Sequence, residues 1–160
     1  MTSLFCFQLS VESLSTSKPE AVLRVSIDSI TSLALEGNHL CRLIAKHSGV
    51  RLLVHICLEV KFRAVRVNAF RALGTVCCVL EGIMELEEAG GIKVLAETLK
   101  DNEAKEEEKS EAAGLLAQVT SPWIENNSSI EGLATHLEDL VLSLTSMSGY
   151  GYTKTYIVNS

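Results

Sequence analysis

The chain has 160 residues, 47% of them apolar and 21% charged, enough for one domain of ordinary size with a buried core. A formal net charge of −6 offers no basic face for phosphate, so nucleic acid is excluded as the expected partner. Charged residues interrupt every apolar stretch before it reaches the roughly 18 residues needed to cross a bilayer, so membrane insertion is not expected either.

The opening "MTSLFCFQLSVES" lacks a basic n-region and a small-residue cleavage site, so no secretory signal is read there. Residues 1–17 are expected to form a poorly ordered N-terminal segment. A first helix should begin at "SKPE", with Ser17 as cap, Pro19 in the first turn and Glu20 three residues after the cap, and continue through "VSIDSITSLA" (25–34). The run "NHLCRLIAKHSG" (38–49) supplies a short helix, and "SGVRLLVHICL" (48–58) an apolar one opened by glycine. "VKFRAVRVNAFR" (60–71) is the one basic segment: on a helix, Arg63 and Arg66 fall near one side, and Val67, Phe70 and Leu73 mark the packed side. "LEGIMELEEAG" (80–90) reads as a short helix ended by Gly90 and Gly91, where a left-handed cap suits glycine. After "GGIKVLAETL" (90–99) comes the acidic "DNEAKEEEKSE" (101–111), read as a solvated loop or an exposed first turn. "SPWIENNSSIEGL" (121–133) then breaks the chain, "HLEDLVLSL" (136–144) has helical leucine spacing, and "SMSGYGYTKTYIVNS" (146–160) is poor in helix formers and is expected to be a disordered tail.

The chain repeats itself. "NAFRALGTV" (68–76) returns 43 residues later as "EAAGLLAQV" (111–119), so that Ala69, Leu73 and Val76 superimpose on Ala112, Leu116 and Val119. Gly49, Val50 and Leu53 likewise match Gly91, Ile92 and Leu95, and Ser32, Thr75 and Gln118 stand at equal intervals of 43. The unit is three helices in about 42 residues, and the expected repeats run over about 18–48, 49–90 and 91–132, with a partial one at 133–145.

Chemistry-bearing constellations are absent from the pattern. The five cysteines, Cys6, Cys41, Cys57, Cys77 and Cys78, contain no CxxC pair, and the four histidines have no zinc-type spacing, so the thiols are read as small core groups in a reducing cytosol and no metal is expected. No nucleophile stands with an orienting base, no strand–Ser–helix elbow occurs and no glycine-rich phosphate loop is present. Neither catalysis nor a cofactor is expected.

Period, helix count and glycine position resemble the armadillo repeat more closely than the HEAT repeat, over about residues 20–145. The resemblance implies an all-α superhelix, an α-solenoid of about three repeats, with the third helices lining a concave groove. In armadillo proteins that bind extended peptides those helices carry a Trp/Asn ladder; the positions equivalent to Trp hold Asp28, Arg71 and Gly114 here, and those equivalent to Asn hold Ser32, Thr75 and Gln118. Partner contacts are therefore placed at Arg63, Arg66 and Arg71, as a patch for an acidic segment, and at Thr75 and Gln118. With little more than three units, the chain is expected to be marginal alone and to be a piece of a longer solenoid or a truncated form.

The run "ALEGNHLCRLIAKHSGVRLLVHICLEVKFRAVRVNAFRALGTVCCVLEGIMELEEAGGIKVL" (34–95) also resembles the C-terminal armadillo region of the Inscuteable family. That resemblance implies a non-enzymatic adaptor of asymmetric cell division, cytoplasmic or at the apical cortex, joining proteins of the Par polarity complex to the spindle-orientation machinery. In that family the peptide threading the TPR spindle adaptor precedes the repeats, and residues 1–20 hold no acidic amphipathic segment, so TPR binding is not carried over to this chain. Self-association through uncovered ends is left open. The alternatives are an importin/catenin-like carrier of peptide cargo and an incomplete isoform with little activity of its own.

Overall fold

Apolar residues recur every three or four positions from Leu23 to Val119, and each such run coils so that its apolar stripe faces the others. The computed structural model describes residues 8–15 and 17–120. Its elements are α1 (Glu20–Leu35), α2 (Asn38–Lys46), α3 (Gly49–Leu58), a 3-10 segment (Val60–Val65), α4 (Arg66–Val76), α5 (Leu80–Glu88), α6 (Gly91–Lys100) and α7 (Glu106–Val119). No strand occurs among the described residues. The break at 121–133, the helix expected at 136–144 and the 146–160 tail lie outside them.

Helices one period apart lie side by side. α4 packs between α1 and α7, α2 packs on α5, and α3 packs on α6, while α3 and α4, like α6 and α7, meet within a repeat. Three parallel rows of this kind make an α-solenoid: no single layer can hide its own apolar stripe, and each is covered by the next. The repeat read from the sequence is the core itself. Ala69, Leu73 and Val76 on α4 are buried, as are Ala112, Leu116 and Val119 on α7. One period earlier, Ser26, Ile30 and Leu33 on α1 are buried too, and the Ser26 hydroxyl is satisfied by donating to the Val22 carbonyl oxygen at 2.8 Å.

The junctions from α2 to α3 and from α5 to α6 explain the matched glycines. A Cβ on Gly91 would sit 2.8 Å from the Leu86 carbonyl oxygen, and one on Gly49 would sit 2.9 Å from that of Ile44. Any side chain there pushes the second helix off the first. The left-handed turn is made one residue earlier, by Gly90 (φ 77°) and by Ser48 (φ 66°). Of the two glycines expected to form the cap, only Gly90 takes that conformation, and the earlier repeat tolerates a serine at a cost of about 1–2 kcal/mol.

Three local expectations are corrected. Ser17 does not cap α1: Pro19 is the cap residue, its carbonyl oxygen accepts the Val22 and Leu23 N–H groups, and the Ser17 hydroxyl lies 2.8 Å from that of Ser15. The extended backbone of Pro19 (φ −60°, ψ 152°) moves the helix start past the reach of Ser17. Residues 60–65 form a 3-10 segment rather than the first turns of an α-helix, and its spacing of three aligns the buried Phe62 and Val65 on one side. At the N-terminus, residues 8–12 form a helical turn, and Val11 and Leu14 enter the core, so packing begins before residue 18. No helix among the described residues is long and apolar enough to cross a membrane.

Candidate partner-binding face

The row of third helices, α1, α4 and α7, presents polar side chains along one edge, and most of them bond across the row. Asn68 donates from Nδ2 to Oδ1 of Asp28 at 3.1 Å, linking α4 to α1. Arg71 donates from Nε to Oε1 of Glu111 and from Nη2 to Oε1 of Glu107, both at 2.8 Å, linking α4 to α7. The hydrogen bond that Arg71 donates to Glu111, with that carboxylate's charge and then the contacts of Glu107, pushes the Arg71 guanidinium above its ordinary range. Because the Arg71 side chain is 50% exposed, water screens these contacts and they add little to stability. Gln118 donates from Nε2 to the Gly74 carbonyl oxygen at 2.7 Å, whereas Thr75 and Ser32 donate back to the carbonyl oxygens of Arg71 and Asp28 on their own helices. Each group at an Asn-equivalent position is thus engaged within the chain.

Arg63, in the 3-10 segment, and Arg66, the first residue of α4, lie elsewhere and converge on Glu108 of α7. Arg63 donates from Nη2 to Oδ2 of Asp101 at 3.1 Å, and its Nε lies 3.6 Å from Oε1 of Glu108. Arg66 Nη1 lies 3.6 Å from Oε2 of the same Glu108, whose side chain is only 1% exposed. Arg66 itself is 11% exposed, so this pairing is largely out of water. Arg66 Nε and Glu108 Oε2 are buried without a hydrogen bond, which leaves opposite charge to hold them. The five residues singled out in the sequence therefore divide: Arg63 and Arg66 meet at Glu108, while Arg71, Thr75 and Gln118 lie along the third-helix row. The acidic run 101–111, read as solvated, supplies four of the carboxylates that hold the basic run. The partners stand roughly one repeat period apart in sequence.

Near the N-terminal end of the row, Leu9 and Ser10 close against Val25, Asp28, Ser29, Ser32 and Leu33 to outline an open groove of about 580 Å³. Val25 is 67% exposed there, large for a valine in a helix that buries Ile27 and Ile30. The groove has no signal in the sequence, because it depends on where residues 8–12 dock. Among the described residues, no three of the His, Cys, Asp and Glu side chains come together as a metal site.

Comparison with known proteins agrees with this architecture. A family model described as the C-terminal region of protein inscuteable matches residues 6–151. The human protein inscuteable homolog is 38% identical over 119 residues, covering 74% of this chain and 21% of that protein. The mouse protein inscuteable homolog is 35% identical over 137 residues, covering 86% of this chain and 24% of that protein. The chain thus spans less than a quarter of the length of these relatives. Among solved structures, the crystal structure of an engineered protein superimposes with a TM-score of 0.64 at 23% identity, over 94% of this chain and 63% of that one, a likeness in fold. With the family model covering most of its length, and the stacked helices reading as one repeat array, the chain belongs to the Inscuteable C-terminal family.

Proposed function

We propose that this chain is a non-enzymatic protein-binding scaffold, acting in the cytoplasm or at the apical cortex to join proteins of the Par polarity complex to the spindle-orientation machinery. The observation that carries this reading is the third-helix row, an edge of hydrogen-bonding side chains running from the groove at Val25 through Arg71 and Thr75 to Gln118. A partner segment laid along it meets exposed apolar surface at Val25 and polar groups beyond. Arg71, Thr75 and Gln118 are proposed as contacts. Arg63 and Arg66, held by Glu108, are proposed to position α4 beneath them. A carrier of basic peptides is the weaker reading, because Arg71 places a cation where that groove uses tryptophan.

Charge reversal of the arginines is a poor test, since it also breaks their bonds within the chain. Val25→Glu and Thr75→Arg instead alter outward positions. With helicity by circular dichroism unchanged, each is expected to weaken capture of purified Par-complex proteins by about tenfold or more, equivalent to about 1.4 kcal/mol. Unchanged capture by both variants contradicts the assignment of this face.

A further inference from the structure

Two thiols from neighbouring repeats lie in contact at a place the adaptor reading does not use. Cys41, fully buried on α2, and Cys78, exposed just after α4, are 37 residues apart in sequence, and their sulfur atoms lie 3.7 Å apart. The Cys41 thiol faces the carbonyl oxygens of Ala34 on α1 at 3.3 Å and Thr75 on α4 at 3.6 Å, and Cys78 lies 3.6 Å from Oδ1 of Asn38 at the start of α2, so α1, α2 and α4 together hold the two sulfurs against each other. Cys77, next in sequence, is buried and donates towards the Gly82 carbonyl oxygen at 3.5 Å. Cys57 is buried on α3 and has no thiol beside it among the described residues.

We infer that Cys41 and Cys78 form a peroxide-responsive disulfide site that staples adjacent repeats together. Access decides the order of events. The exposed Cys78 meets the oxidant first: its sulfur takes one oxygen from hydrogen peroxide, giving a sulfenic acid and releasing water. The Cys41 sulfur then attacks the Cys78 sulfur. The S–O bond breaks, the Cys41 proton leaves with the departing oxygen as a second water, and the S–S bond forms. Two thiols are oxidised by two electrons and one peroxide is reduced. Burial pushes the Cys41 thiol up to about 12, which makes it an unreactive first target and a slow resolving group, so the sulfenic acid should be trappable at early times. The bond would tie α2 to the connection between α4 and α5, beside the layer where α2 packs on α5.

The test treats the intact 160-residue chain with hydrogen peroxide and then blocks the remaining thiols before tryptic mapping without reductant. The expected product has lost two hydrogen atoms and links peptide 25–42 to peptide 72–93. Cys77→Ser should keep that link, and Cys78→Ser and Cys41→Ser should each abolish it. Oxidation should also raise the melting temperature by several degrees, reversibly with dithiothreitol, since it closes a loop between residues 37 apart, nearly one repeat in length. A bond to Cys77 or Cys6, a bond between two chains, or oxidation of Cys78 to the sulfinic acid without any link would each overturn the assignment.

Discussion

Replacing Glu108 by alanine is expected to lower the stability of the chain by about 3 kcal/mol, measured as the shift in urea midpoint by circular dichroism. The carboxylate is buried between Arg63 and Arg66, and of the two only Arg63 has a second acid, Asp101, at 3.1 Å. Without Glu108, the guanidinium of Arg66 is left nearly buried with no opposite charge in reach among the ion pairs of the described residues. That uncompensated charge, rather than the loss of a strong bond, sets the size of the effect. A second variant separates the two causes. Changing Glu108 to Leu and Arg66 to Met together removes both charges and should recover most of the loss, because apolar groups of similar volume replace a buried pair at little net cost. If the double variant is as unstable as the single one, the pair is held by more than mutual neutralisation.

Leu73→Ala and Leu116→Ala should each cost about 2–5 kcal/mol in the same assay. Both side chains are fully buried at equivalent places, Leu73 on α4 between α1 and α7, and Leu116 on α7 against α4 and α6. Each truncation opens a cavity between helices that cannot close without shifting a whole layer. Against the 5–15 kcal/mol that a domain of ordinary size has to spend, either change removes a large share. Thr75→Ala, in the same helix, removes a hydroxyl that donates back to the Arg71 carbonyl oxygen one turn earlier and should stay within about 0.5 kcal/mol. Equal effects at Leu73 and Thr75 would mean that α4 is not packed on both sides.

How much of this was legible in the sequence depends on the range of the force involved. The order of small and large apolar residues in 68–76 and 111–119 marked the core, because that order is itself the shape of the buried stripe. The glycine match at Gly49 and Gly91 was legible for a related reason, although the physical demand there is close approach and not a positive φ. Ser48 carried no sign of its left-handed backbone, since a serine looks the same in any turn. The 3-10 segment was hidden because Phe62 and Val65 are spaced for either kind of helix. In the candidate site, the basic run at 60–71 and the acidic run at 101–111 could be seen as charges but not as each other's partners. Their pairing is decided by which helix lands beside which, and only the stacking of repeats brings Glu107, Glu108 and Glu111 to Arg63, Arg66 and Arg71.

The helices α1, α4 and α7 lie in one row, each touching its counterpart one repeat away. Nuclear Overhauser contacts on an isotopically labelled chain measure this directly through two side-chain amides. The Gln118 amide protons should show cross-peaks to Gly74, and the Asn68 amide protons to the β-protons of Asp28, both at a separation close to the repeat length. Cross-peaks that instead join α7 to α1, with none from Gln118 to Gly74, would mean the helices close into a bundle and that no continuous third-helix face exists for a partner.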